Sequence, residues 1–438
     1  MASMLHAGGA IQGAQAMPGL ISRRRETAQL GGWLVSAVLY APLIAVTLLP
    51  KAAIPPLGER GIGISLLIVY LAIAVGALSH NLAVEPKRLA FFLLVIAMLG
   101  LESVLHGEAF SVASLLLLVA LHLPYIFFVT RAAGVAAAVA FFTRLCAFLA
   151  LCALAQFVLQ FFIDAKYVFP IENFVPQAFV VQGFNAQAPL SYGSQIYRAS
   201  GIFLFEPSYL SQLLAIGIVT ELCTRHRLTH LLLYALAMIV SYSGTGLVIL
   251  AVCVPVIVVV KRRWDLLLAG VGVLLVLSIL RQWLFLDQFV ARAGEFGATG
   301  SSGFARFVSG FYLFDQFLWN DPGHMLFGLG AGTFKVFALR AVFPTAEMPL
   351  FKMVMEFGLV GALMYFAFIL YCLFSSPLPR MIALAVALAF LLNGLYVPFA
   401  LGPALALLVW PSRQASLIAA RPESAPRYSA TDQVVASG

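Results

Sequence analysis

Leu231–Val260 reads LLLYALAMIVSYSGTGLVILAVCVPVIVVV. A membrane-spanning helix needs about 20 apolar residues, and this run is half as long again. Its middle, Ser241-Tyr-Ser-Gly-Thr-Gly246, holds two glycines and a row of hydroxyls. Glycine, serine and threonine in succession favour a turn over a helix interior. We read two helices joined by a tight turn. A second reading stays open, a half-helix junction, because irregular backbone at membrane depth is tolerated where it lines a cavity. The split decides the fold, since it sets on which side of a membrane every later segment lies.

Working outward, apolar runs long enough to span occur near 30–50, 61–79, 89–106, 110–130, 133–162, 201–222, 266–283, 351–375 and 380–397. A shorter one ends at Trp410. With 231–260 split in two, the expectation is an all-α polytopic membrane protein of about twelve spans. Composition agrees: 62% of the 438 residues are hydrophobic and 10% charged, against roughly 45–50% and about 25% in soluble domains. The net charge of +8 is spread through short loops, so it argues for topology and against a nucleic-acid partner.

Twelve spans put both termini on one side, and the basic residues favour the cytoplasm. Arg23–Arg25, Lys87, Arg88, Arg131, Arg225, Arg227, Lys261–Arg263, Arg380, Arg413, Arg421 and Arg427 fall on that side, against Lys51 and Arg60 in the short outer loops. This is the positive-inside pattern. The run Leu30–Pro50 is long for a signal-peptide core and lacks a small-residue cleavage site, so it is expected to stay as the first helix. We divide the chain into a cytoplasmic tail at 1–28, a bundle at 29–411 and a cytoplasmic tail at 412–438. Cys146, Cys152, Cys223, Cys253 and Cys372 all lie in or beside apolar runs, which suits packing better than disulfides.

Two outer loops are long, 163–200 and 284–350, and loops of that length usually carry function. In the second, Phe304, Phe307, Phe311, Phe314 and Phe317 recur every three or four residues. This predicts one amphipathic helix over Gly303–Trp319, lying on the bundle or the membrane surface. The glycines of Gly328-Leu-Gly-Ala-Gly332 lack the flanking strand and Lys-Ser/Thr of a nucleotide loop. A tight turn packed on the bundle is expected there. Arg144, deep in the fifth run, is expected to face the interior and pair there. Gln156 and Gln160 follow it. His122 and His324 stand without partners at ligand spacing, so no metal site is expected.

Arg198–Gln212, RASGIFLFEPSYLSQ, carries a carboxylate inside an apolar stretch. A carboxylate at the centre of a membrane helix costs about 2.5–3.5 kcal/mol. Pro207 starts helices better than it sits within them, so Glu206 is expected at the cap of a helix near the outer surface. Arg198, Glu206, Tyr242, Ser243, Thr245, Arg281, Arg292, Arg306 and Lys335 all fall at or beyond that face. Arginine forks match phosphate oxygens, and a lipid diphosphate would suit them.

The ordered set Arg198, Ser200, Gly201, Phe203 and Glu206-Pro-Ser208, then the serine-rich break at Ser241, then Ser302-Gly-Phe-Ala-Arg-Phe307, then Phe327-Gly-Leu-Gly-Ala-Gly-Thr-Phe334, then Met355-Glu-Phe-Gly-Leu-Val-Gly361, resembles the Wzy-type exopolysaccharide polymerases. The xanthan-type polymerases are the most similar. The resemblance covers roughly 165–365, within the superfamily that also holds the O-antigen ligases. It implies polymerisation of undecaprenyl-diphosphate-linked oligosaccharide units at the periplasmic face of a bacterial inner membrane. Donor and acceptor are both lipid-linked, and the reaction needs no metal or cofactor. Chain-length regulators and export proteins are the implied partners.

Within that frame Glu206, Arg198 and Arg306 are the expected catalytic residues. Arg281, Arg292, Tyr242, Ser243 and Lys335 are the expected substrate contacts, with Arg281 also suited to an interface anchor. A carboxylate at a membrane helix cap can serve as general base. The bland alternative pairs Glu206 with Arg198, eight residues upstream, and makes Arg198 a snorkelling arginine. Relatives often have Ser-Arg at the serine-rich break, where this chain has Ser-Tyr. The ligases carry a histidine late in the long loop, whereas Lys335–Glu356 has none, which favours polymerase over ligase. A transporter without chemistry would show inverted repeats and charges from both halves near the midplane; here the polar residues gather at one face, with Arg144 the main exception.

Overall fold

The computed structural model describes residues 18–54, 62–106, 110–131, 134–169, 175–181, 184, 187–191, 193–282, 287, 294, 296–394 and 401–411. The chain is mostly helical. The helices are α1 (Pro18–Leu48), α2 (Ile64–Leu78), α3 (Pro86–His106), α4 (Val112–His122), α5 (Val135–Leu159), α6 (Ala165–Val168), α7 (Pro207–Cys223), α8 (Leu228–Ser241), α9 (Gly244–Lys261) and α10 (Trp264–Ile279). They continue as α11 (Ser302–Phe307), α12 (Ser309–Phe317), α13 (Pro322–Phe327), α14 (Thr333–Ala338), α15 (Pro349–Phe374), α16 (Arg380–Leu391) and α17 (Leu401–Pro403), which runs into a π-helical turn at Ala404–Val409.

Among the described residues four helical segments are long and apolar enough to cross a membrane: Pro86–Leu105, Val135–Leu159, Gly244–Lys261 and Pro349–Phe374. Their outward faces are largely apolar. On α5, Phe142, Leu145, Leu149 and Ala153 are buried while Phe148, Leu151 and Val158 are exposed. A helix apolar all round belongs in lipid or in a large core.

α7 is the centre of the bundle. Every residue from Pro207 to Leu222 is buried, against α5, α8, α9 and α16. Small residues let its neighbours close in. A Cβ on Gly246 would fall 2.3 Å from Ser211 O, so α9 crosses α7 at backbone contact. The run 231–260 divides as expected: α8 ends at Ser241, Tyr242 adopts φ 44° and ψ 40°, and α9 begins at Gly244.

The connections gather at two ends. At one, β1 (Ala53–Ile54) pairs with β2 (Ile62–Gly63), Ala52 bridges Val180, and Lys51 Nζ donates to Ile202 O. At the other, β3 (Leu82–Val84) lies antiparallel to β4 (Phe127–Val129), and Val129 N–H donates to Trp410 O. Lys261 Nζ there caps the carbonyls of Leu222 and Cys223 at the end of α7.

Three expectations change. The amphipathic helix over 303–319 is two helices, α11 and α12, because Val308 at φ −118° and ψ −47° interrupts it. It rests on the bundle, with Phe311 and Phe314 against Phe351. The region 284–350 is therefore built of short helices over much of its described length. Arg144 does not face the interior. It is exposed on the outward stripe of α5 with Phe148 and Leu151, and it has no partner among the described residues. One residue earlier, Thr143 holds the inward position and accepts from Arg227 at 2.8 Å.

Candidate functional site

The segment before α7 is strained and fastened. Gly201 and Ile202 both have positive φ, 75° and 68°. For a β-branched residue that is an outlier, of a kind that persists only where the surroundings impose it. Gln156 imposes it here. Its Oε1, fully buried on α5, accepts the N–H groups of Ser200, Gly201 and Ile202 at 2.9, 3.0 and 3.4 Å. One turn on, Gln160 accepts from Tyr197 N–H at 2.8 Å and donates to Tyr197 O at 3.1 Å. Two glutamines four residues apart thus hold the strand that delivers Arg198 on one side and Glu206 on the other.

Glu206 is the N-cap of α7, with extended backbone and Pro207 in the first turn. Its Oε2 accepts from Ser208 Oγ at 3.1 Å and from Arg306 at 3.1 Å. Its Oε1 has no partner among the described residues. The ion pair is thus with Arg306, 100 residues downstream on α11, and Arg198 instead donates Nε–H to Pro189 O at 3.1 Å. The pair is only partly covered, with side chains 26% and 21% exposed.

Arg198, Glu206 and Arg306 line one cavity of about 440 Å³ with Tyr242, Ser243 and Thr245. Leu247, Val248, Phe296 and Phe307 form its apolar wall. Two helix starts meet there, α7 at Glu206 and α9 at Ser243, and neither N-cap residue makes a side-chain cap bond. Helix N-termini carry partial positive charge and free N–H groups. Two guanidiniums against one carboxylate add a formal +1 to the lining. The cavity is built for an anion with hydroxyls nearby. A hydroxyl chain backs it: Ser243 Oγ and Ser211 Oγ each lie 3.1 Å from Thr245 Oγ1, which donates to Ser208 O at 3.2 Å.

The other expected contacts lie elsewhere. Arg281 is exposed and paired with Asp287. Lys335 is exposed on α14 and does not line the cavity. Arg292 lies outside the described residues. His122 is satisfied on both ring nitrogens, by Leu118 O and Tyr365 Oη. The described residues hold no group of three or more His, Cys, Asp or Glu side chains close enough for a metal. The serine-rich break serves both ways. It is a tight turn, and it also lines the cavity.

Gln156 and the hydroxyls of Ser208 and Ser211 had no role assigned from sequence. The signal for Gln156 was present, as a second glutamine one helical turn away in an apolar run. No family model matches the chain, and none of the characterised proteins compared with it is detectably similar.

Proposed function

We propose that the protein is an inner-membrane exopolysaccharide polymerase of about twelve spans, with both termini cytoplasmic and the cavity on the periplasmic side. It joins undecaprenyl-diphosphate-linked oligosaccharide units into a longer chain. The observation that carries this proposal is the half-open Glu206–Arg306 pair set between two helix starts, with Arg198 in the same cavity.

The chemistry follows from those groups. A hydroxyl of the acceptor unit attacks the anomeric carbon of the donor glycan. The new carbon–oxygen bond forms as the bond to the diphosphate oxygen breaks, and the electron pair leaves with the lipid diphosphate. Arg198, Arg306 and the start of α9 meet the charge that develops there; removing one such donor typically costs about 10²–10³-fold in rate. Glu206 takes the hydroxyl proton at Oε1, while Arg306 and Ser208 fix Oε2. A positioned base contributes about 10²–10⁴-fold. Leu247 and Val248, exposed on α9, continue the apolar wall toward the lipid-facing surface, where a polyprenyl chain would lie.

The test is reconstitution. Purified protein in vesicles receives undecaprenyl-diphosphate repeat units, without metal or nucleotide. The expected result is a ladder of glycans spaced by one repeat. Unchanged units at all times would contradict the proposal, and glycan appearing only when lipid A-core is added would make the protein a ligase.

A further inference from the structure

A second polar centre lies between α3 and α15, apart from the outer cavity and independent of its chemistry. Glu102 on α3 is 2% exposed, and neither carboxylate oxygen has a hydrogen-bond partner among the described residues. It packs on Gly361 so closely that a Cβ there would fall 2.4 Å from Oε2. Beside it α15 is broken. Gly358 holds φ 63° and ψ −172°, so one half-helix stops and another starts.

The Gly328–Gly332 turn fills that break. Leu329 N–H donates to Met355 O at 3.0 Å, and Gly330 N–H donates to Glu356 O at 2.8 Å. Ala331 N–H donates to Ser103 Oγ, next to Glu102, at 3.2 Å. A Cβ at Gly328 or Gly358 would overlap the facing backbone. The turn is therefore seated as a plug, with its amides committed to α3 and to the broken ladder of α15.

The charges around the plug do not balance. Glu356 is fully buried; its Oε1 pairs with Lys352 Nζ at 2.8 Å and accepts from Phe334 N–H, and its Oε2 makes no well-formed hydrogen bond among the described residues. Lys352 is 2% exposed and lies 3.8 Å from Glu347, whose side chain is 23% exposed at the rim. His122, on neighbouring α4, is held by Leu118 O and Tyr365. Buried beside the plug are thus two carboxylates and one ammonium, a formal −1 if both acids ionise. An unpaired buried carboxylate neutralises rather than stays charged. A Ca²⁺ or Mg²⁺ ion would need about six oxygens around it, and Glu102 Oε2 is closed off by Gly361. A proton needs no room.

We propose that Glu102 is a proton-binding site, and that its proton holds the 328–332 turn in the break of α15. Once ionised, Glu102 needs donors. The amides of Gly328, Leu329, Gly330 and Ala331 are already taken by His324 O, Met355 O, Glu356 O and Ser103 Oγ, and that of Gly332 faces the Glu356 carboxylate, so solvating Glu102 means opening the turn to water.

The test is infrared spectroscopy of the full chain in lipid vesicles, paired with hydrogen exchange. At neutral pH the wild type shows the C=O band of a protonated carboxylic acid. Glu102→Gln loses that band, and Glu356→Gln keeps it. Opening that releases a proton makes exchange at Leu329 and Gly330 rise about tenfold per pH unit beyond the intrinsic rate, and Glu102→Gln abolishes this excess. If Glu102→Gln does not fold, Glu102→Asp should shift the band. No band at neutral pH, a band unmoved by either Glu102 variant, or the same exchange slope with and without the acid would overturn the proposal.

Discussion

Two arginine–carboxylate pairs sit at opposite ends of this bundle, and they are built differently. Arg88 and Glu85 lie 2.9 Å apart with both side chains nearly covered, 1% and 11% exposed. Arg88 also donates to Phe127 O, Val409 O and Ser375 Oγ, tying α3 to β4, to the α15–α16 connection and to the π-helical turn. Arg306 and Glu206 lie 3.1 Å apart, remain partly exposed, and leave Glu206 Oε1 without a partner among the described residues. A covered pair whose arginine makes three further bonds fastens the fold. A partly exposed pair that lines a cavity can be reached by a ligand. The residue types are the same, and the surroundings make the difference.

The comparison breaks first at Arg88. Replacing it with leucine leaves Glu85 and two carbonyls unpaired in the interior, and losing one partner of a buried pair costs about 3–5 kcal/mol. Arg88→Leu should deplete folded protein, read as yield and thermal unfolding in detergent. Near-normal stability would mean that this covered pair does not fasten the fold.

Next in size is the open pair. Arg306→Ala should lower polymer formation by about 10²–10³-fold, with the amount of folded protein close to wild type, since a partly exposed pair adds only about 0–1 kcal/mol. A stability loss as large as that of Arg88→Leu would erase the distinction.

Smaller effects sharpen it. Gln156→Leu strips the acceptor from Ser200, Gly201 and Ile202, and should cost about 1–3 kcal/mol along with activity, because Arg198 and Glu206 lose their common anchor. Gly246→Ala forces a methyl against Ser211 O and should cost about 1–3 kcal/mol through separation of α7 and α9. Arg281→Ala and Lys335→Ala should stay within about 0.5 kcal/mol and leave the polymer unchanged, as neither side chain reaches the cavity.

What the sequence revealed follows the range of each interaction. The split at Ser241–Gly246 and the helix start at Pro207 are local, set by turn residues and by proline, and both were legible. The outward face of Arg144 was not, because apolar residues surround every side of α5 and periodicity cannot mark the lipid side. The partner of Glu206 was not either. Arg198 is near in sequence, yet the strained Gly201–Ile202 turn and its anchor on Gln156 fix the approach to α7, and the path of α11 sets Arg306 against the carboxylate. Of the three arginines Arg281, Arg198 and Arg306, only the last two, those within the ordered motifs, are carried to the cavity.

The central claim is that the open Glu206–Arg306 pair performs chemistry rather than fastening the fold. The most direct measurement is glycan-ladder formation per folded molecule by Glu206→Gln in vesicles supplied with undecaprenyl-diphosphate repeat units. The account predicts a loss of about 10²–10⁴-fold with unfolding temperature unchanged. A ladder at the wild-type rate would contradict it.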